Sequence, residues 1–230
     1  MQIIRDLEKV PESARAGVVV LGNFDGVHRG HQAVIGCGGD LARQAEAPLV
    51  VLTFEPHPRS FFRPHDAPFR LTPFQNKAHH IEALGVDALI ALTFDEALSQ
   101  LGGEAFIEHV IVRGLAAKQV VVGQDFRFGH QRSGDTALLE ALGEKNGYAV
   151  MTVAPVASAD AEIYSSSHIR EQLETGKPGH AAAMLGRPFE IEGTVEHGDK
   201  RGRTLGFPTA NIDIADYIRP ARGVYAIRAG

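Results

Sequence analysis

Cysteine is nearly absent from this sequence: Cys37 stands alone, and there is no tryptophan. A single thiol excludes an internal disulfide and any metal centre built from several cysteines. Long apolar runs are missing as well. None approaches the roughly 20 residues needed to span a bilayer as a helix. The charged opening stretch MQIIRDLEKVPESARAG lacks the apolar core of a signal peptide. Positive charge is not in excess either. The formal net charge is −5, unlike the basic footprint of a dedicated nucleic-acid binder. These absences predict a soluble, cytoplasmic protein with neither nucleic acid nor membrane as a partner. A net negative chain still accommodates a local basic pocket, so an anionic small-molecule substrate stays open.

The 230 residues, 44% of them apolar, suffice for one sizeable domain and part of another. Five short runs rich in valine, leucine and isoleucine stand out: GVVVLG (17–22), LVVLTF (49–54), VDALIALTF (86–94), KQVVVG (118–123) and YAVMTVAPV (148–156). Near-continuous apolar strands are what a parallel sheet covered on both faces requires. Between them, stretches over 30–46, 74–84, 95–113 and 135–146 predict helices. This alternation predicts a doubly wound α/β domain. GCGG (36–39) falls inside the first helix, where each glycine costs about 1 kcal/mol against alanine; close packing or a local break is the expected reason. Near residue 187 the pattern changes. RPFEIEGTVEHGDKRGRTLGFPTANIDI alternates at period two and then turns through glycines, as antiparallel strands do. The predicted division is therefore 1–186, ending in a short linking helix over AAAMLG, and 187–230, a β-type segment thin for an independent core.

In open α/β sheets, ligands bind beyond the carboxyl ends of the strands. LGNFDGVHRGHQ (21–32) lies there, between the first of these strands and its helix. Its glycines admit close backbone approach, and a helix N-terminus offers unpaired N–H groups to phosphate oxygens. With His31 opening the helix, His28 lies just outside it, and both imidazoles can face the same phosphates and stabilise charge developing there. The alternative is a polar loop with two surface histidines. Zinc binding fits less well, because HExxH and a third ligand at recognisable spacing are missing. A dinucleotide turn fits less well again, because GxGxxG is missing.

HxGH after a first strand resembles the nucleotidyltransferase superfamily. The longer string GNFDGVHRGHQ, followed in order by TFEPHP (53–58), GQDFRFG (123–129) and SSSHIR (165–170), resembles one branch more closely: the bacterial bifunctional riboflavin kinase/FMN adenylyltransferases, or FAD synthetases. The resemblance implies a Rossmann-like nucleotidyltransferase domain that transfers the AMP moiety of ATP to FMN, giving FAD and pyrophosphate. ATP, FMN and riboflavin are the implied partners, with Mg²⁺ accompanying ATP. His28, His31 and Arg170 are the implied catalytic residues, with Asn23, Gly30, Asp125, Ser166 and Ser167 on ATP. His57, Phe62 and Phe128 are implied on the flavin side. Strand alternation through GQDFRFG sends one phenylalanine to the core and the other to the ligand, and Phe128 is assigned to the ligand. A turn-forming role is the alternative for Asp125, strand termination for TFEPHP, and helix capping for one of the serines. The family pattern SSTxIR usually has arginine at x; here Ser167 keeps the hydroxyl, but His168 removes a permanent cation.

RGRTLGFPTANI (201–212) resembles the riboflavin kinase module, whose GxPTAN segment holds Mg-ATP, with Thr209 and Asn211 as the matching ligands; a simple β turn is the alternative. In that family the kinase carboxylate lies further downstream. These residues are therefore expected to make FAD from FMN without making FMN from riboflavin, a step left to a longer parent chain. Two rival functions stay open: a related transferase with another phosphate acceptor, and a non-catalytic flavin or nucleotide module.

Overall fold

The computed structural model describes residues 1–196, 206 and 209–229. Six strands make one parallel sheet: β1 (Gln2–Ile4), β2 (Val18–Leu21), β3 (Leu49–Glu55), β4 (Ala88–Thr93), β5 (Gln119–Gly123) and β6 (Ala149–Val153). Their order is β1-β4-β3-β2-β5-β6. Strand β2 is central, with Val18–Leu21 registered on Leu49–Leu52 to one side and Val18–Val20 on Gln119–Val121 to the other. Side chains alternate between two cores. Val19, Leu21, Leu52 and Val122 enter one; Val18, Val20, Val51 and Val121 enter the other. With both faces of the sheet buried there, Val18–Leu21 is apolar throughout and Leu49–Phe54 apolar but for Thr53, as expected.

The helices are α1 (Arg29–Gln44), α2 (Pro58–Phe62), α3 (Phe74–Glu82), α4 (Glu96–Ser99), α5 (Gly103–Phe106), α6 (Thr136–Asn146), α7 (Ser166–Glu174) and α8 (Pro178–Leu185). The expected linking helix is α8, stopped by Gly186 in the left-handed conformation. The glycines of α1 have a packing reason at one position: a Cβ on Gly38 would lie 2.4 Å from Val20 Cγ2. Gly36 meets nothing within 4 Å, and nothing in the structure explains it.

Two elements depart from expectation. Strand β1 lies in the charged opening stretch and pairs with β4 at the sheet edge. The single helix expected over 95–113 is broken: α4 ends, and α5 begins at Gly103 and continues as a π-type helix to Gly114. The break lets Gly103 meet the loop before α6, where a Cβ would lie 2.8 Å from Gly134 Cα.

Beyond α8, Val195–Glu196 (β7) and Asn211–Ile212 (β8) form a small antiparallel pair. Tyr217 and Ile218, further along the segment, pack back on the first domain. Ile218 joins Leu71, Ile169, Leu173, Met184 and Leu185 in a third core cluster. The Tyr217 hydroxyl donates to Asn76 Oδ1 at 2.9 Å, and the Ile218 N–H to the Arg70 carbonyl at 2.8 Å. Of the kinase-like motif, 201–205 and 207–208 lie outside the described residues; Thr209 and Asn211 are exposed. Among the described residues, no helix is long and apolar enough to cross a membrane.

Candidate active site

Strand β2 has β3 on one side and β5 on the other, so strand order reverses at its carboxyl end. That is the switch point where open α/β sheets bind ligands. The loop leaving β2 carries His28 to the N-cap of α1, with His31 one turn inside. The two rings stack, centroids 3.6 Å apart and planes 24° apart. His28 Nδ1 accepts from the His31 backbone N–H at 3.4 Å, which leaves the ring proton on Nε2. Burial pushes the His28 pKa down to about 4, with Arg170 and Arg187 adding to the shift and Asp25 opposing it. Burial also holds His31 well below the usual range, helped by His28 itself, Lys77 and Arg170. Both imidazoles are therefore neutral near pH 7, and His31 Nδ1 is buried without a hydrogen-bond partner among the described residues. Gly30 has to be glycine for this stack: a Cβ there would sit 3.0 Å from the His28 ring and 3.3 Å from the Tyr164 carbonyl.

His57 follows β3 directly and caps α2, its Nδ1 accepting from the Arg59 N–H at 3.0 Å. Its pKa is also lowered to about 4, first by burial, with Arg70, Lys77 and Arg170 adding to it and Asp25 opposing. Asp25 opposes and Arg170 adds to the downward shift at both His28 and His57. Phe62, at the end of α2, is 61% exposed and touches Phe61 and Phe94 edge-on at 5.3 and 5.7 Å.

The candidate site also contains residues that the sequence motifs did not single out. Asp25 is 2% exposed. It accepts from the Leu71 and Thr72 backbone N–H groups at 3.0 and 3.1 Å and from Arg170 Nη2 at 2.6 Å. Glu55, at the end of β3, takes both terminal nitrogens of Arg70 at 3.0 and 3.1 Å and lies 3.6 Å from Lys77 Nζ. Lys77 is fully buried. Its ammonium donates to the Asn23 carbonyl at 3.2 Å and Thr53 Oγ1 at 3.3 Å. Burial pushes its pKa down to about 8, with Arg70 adding to the shift and Glu55 and Asp25 opposing.

The remaining expected residues divide. Asn23, Asp125 and Ser167 are exposed around the carboxyl edge of the sheet. Ser165, not Ser166 or Ser167, caps α7 by accepting from the His168 N–H at 3.2 Å. Ser166 is committed elsewhere, its hydroxyl donating to the Asp25 carbonyl at 2.8 Å. Arg170 is less open than expected: besides Asp25, it donates through Nε to the Phe69 carbonyl at 2.8 Å. His168 turns to Gln172, 3.0 Å away. The assignment of Phe128 to the ligand side is corrected. Its ring is 6% exposed and packs on Phe106 and Gly134, while Phe126 stacks on it, half-buried. Alternation misleads here because β5 ends at Gly123 and the chain turns at 124–125, so that Phe126 and Phe128 both meet the same core.

The chain is matched by two family models, one described as FAD synthetase over residues 10–167 and one as riboflavin kinase over residues 185–230. It is 37% identical over 228 residues to the bifunctional riboflavin kinase/FMN adenylyltransferase of Escherichia coli (strain K12), across 99% of this chain and 72% of that protein. The corresponding protein of Haemophilus influenzae is 38% identical, across 99% and 74%. Among solved structures, one from Streptococcus pneumoniae described as a macrolide-efflux protein aligns with a TM-score of 0.84 at 30% identity, over 97% of this chain and 72% of that one. A pantothenate synthetase from Thermus thermophilus shares the fold alone, with a TM-score of 0.50 at 16% identity over 80% of this chain and 71% of that one. On the FAD synthetase match across most of its length, and on relatives well above 30% identity from end to end, the chain belongs to the bifunctional riboflavin kinase/FMN adenylyltransferase family.

Proposed function

We propose that this chain transfers the AMP moiety of ATP to FMN in the crevice beyond β2. An FMN phosphate oxygen attacks the α-phosphorus of ATP. As that bond forms, the bond from the α-phosphorus to the bridging oxygen breaks, and pyrophosphate leaves with that oxygen. Such a transfer asks the protein mainly for positioning and for stabilisation of charge on the phosphates.

The observation that carries the reading is the stacked pair of neutral imidazoles at the N-terminus of α1. His28 presents an Nε2–H donor, the helix adds its own unpaired N–H groups, and the surrounding cations favour an anion. An arriving phosphate would raise both histidine pKa values and strengthen these hydrogen bonds as negative charge grows. His31, Asn23, Gly30, Asp125 and Ser167 complete the nucleotide side. Arg170 and Ser166 act through Asp25, holding the loop that carries the histidines. Phe62 offers an exposed face for the isoalloxazine ring, and His57, packed edge-on against Phe69, belongs to the same flavin side.

Among the described residues, no group of three or more His, Cys, Asp and Glu side chains is placed to hold a metal ion. The two inner carboxylates are already taken up by Arg170, Arg70 and Lys77. In this crevice the described side chains therefore do not fit a resident cation, and Mg²⁺ is read as arriving on the ATP phosphates as part of the substrate.

The test is product formation from ATP and FMN, with FAD identified by mass and pyrophosphate released only when FMN is present. His28→Ala should lower kcat far more than it raises the KM for FMN. A near-normal kcat in that variant removes the phosphate role, and pyrophosphate release independent of FMN removes the acceptor.

A further inference from the structure

The turn that delivers His28 is strained. Phe24, Gly26 and Val27 have φ values of 50°, 87° and 41°. Glycine adopts such a conformation freely, but for a β-branched residue it is an outlier that persists only where the surroundings over-determine it. Some of those restraints come from within the first domain. The Gly26 N–H donates to Thr72 Oγ1 at 2.8 Å, the Val27 N–H to the Phe24 carbonyl at 3.1 Å, and Gln32 Nε2 to the Val27 carbonyl at 2.8 Å.

The others come from the far side of the chain. Arg187 stands just past α8, half-buried, outside the stretch matched as FAD synthetase and inside the stretch matched as riboflavin kinase. Its Nη2 donates to the Gly26 carbonyl at 2.9 Å, and its Nη1 reaches the carbonyls of Val27 and Leu185, both at 3.4 Å. Its Nε donates to His80 Nε2 at 3.1 Å. All three guanidinium nitrogens are thus engaged, and two of them hold the peptide groups immediately before His28. A planar fork of fixed geometry suits this task; a single ammonium cannot reproduce it.

We propose that Arg187 is a positioning residue for adenylyl transfer: from the junction with the second module, it clamps the strained Gly26–Val27 turn and so sets the place of the His28 imidazole. The geometry of the adenylyltransferase site then depends on the first residues of the kinase-like segment. The charge of Arg187 also contributes to keeping His28 neutral. The inference rests on His28 facing the transferring phosphate.

The experiment measures kcat and both KM values, with the melting midpoint as a check on folding, for Arg187→Met and Arg187→Lys in the full chain. A displaced catalytic group costs on the order of 10- to 100-fold in rate. Both variants should lose kcat on that scale while the two KM values stay within about threefold. Guanidinium ion added at millimolar concentration should restore part of the loss in Arg187→Met and none in the wild type. In a Val27→Gly background, where the turn carries no β-branched strain, the further loss on removing Arg187 should be smaller. Wild-type kcat in both Arg187 variants would overturn the clamp, as would a loss that guanidinium does not touch and that Val27→Gly does not reduce. His28→Ala, measured alongside, separates the two failures. An intact kcat in His28→Ala removes the histidine reading and the clamp together; a lost kcat there with intact Arg187 variants removes the clamp alone.

Discussion

Acid should destabilise this protein through His28 before it titrates the surface carboxylates. His28 is 5% exposed, and burial lowers its pKa from 6.5 to about 4. The unfolded chain therefore binds a proton on this side chain between those two pH values, while the folded chain does not. Stability then rises with pH across the window: no penalty exists above pH 6.5, it grows as pH falls, and it stops growing below about pH 4. Going from pH 7 to pH 5 crosses about one and a half units of that window. At about 1.36 kcal/mol per unit, the loss is roughly 2 kcal/mol from His28 alone. His31 and His57 are shifted the same way and add to it.

The variant that isolates this effect is His28→Asn, because asparagine keeps an N-cap acceptor for α1 while removing the titration. Urea unfolding should be followed by far-ultraviolet circular dichroism, since the chain has no tryptophan to report. Between pH 7 and pH 5 the wild type should lose about 2 kcal/mol more than the variant, at an unchanged dependence on urea. Parallel losses in the two proteins would show that His28 titrates as an ordinary exposed histidine, and the account of a neutral imidazole pair would fall with it.

Three further outcomes can be checked. Phe62→Ala should weaken FMN by roughly 1–3 kcal/mol and leave ATP unchanged in titrations of each ligand, because the ring is 61% exposed and meets Phe61 and Phe94 edge-on; equal losses for both ligands would contradict a stacking role. Gly38→Ala should lower the melting temperature by the equivalent of about 1–3 kcal/mol, since its Cβ would meet Val20 Cγ2 at 2.4 Å, whereas Gly36→Ala, facing open space, should raise stability by about 1 kcal/mol. Asp25→Asn leaves Arg170 with a partly buried, unpaired charge and should cost about 3–5 kcal/mol, with less than additive loss in the double variant Asp25→Asn/Arg170→Met.

The sheet was legible because burial on both faces writes itself into composition. Val18 to Leu21 and Leu49 to Phe54 are apolar at every position but Thr53, which no amphipathic strand would be. Strand β1 left no such trace, having three residues, one neighbour and no buried side chain. The split between α4 and α5 was invisible for a different reason. It answers a backbone contact between Gly103 and Gly134, distant in sequence, and local periodicity carries no information about that. Around the loop after β2, the motifs named His28, His31, Ser166 and Arg170, but not Asp25, Glu55, Arg70 and Lys77, which complete the network of hydrogen bonds there. Lys77 was the exception that could have been found. Phe74, Lys77, Ala78 and Ile81 fall at i, i+3, i+4 and i+7, so the lysine stands in the inward stripe of α3, where a cation requires partners.

The division at 186/187 illustrates how sequence and packing separate. Composition changes there because the periodicity changes from helix to strand; of the two family-model matches, one ends at residue 167 and the other begins at 185. Packing does not follow that line. Arg187 holds carbonyls of Gly26 and Val27, Tyr217 bonds Asn76 on α3, and Ile218 shares a cluster with Leu71 and Leu185. Each of these contacts is made to a backbone group or to a side chain buried in the first module, so truncation at 186 would leave several of them unpaired or exposed. The loop that bears His28 and the helix that bears Asn76 are both among the partners so held. A module boundary drawn where the hydrophobic period changes therefore runs through the support of the Gly26–Val27 turn, and the two halves of this chain are coupled at the loop that bears His28.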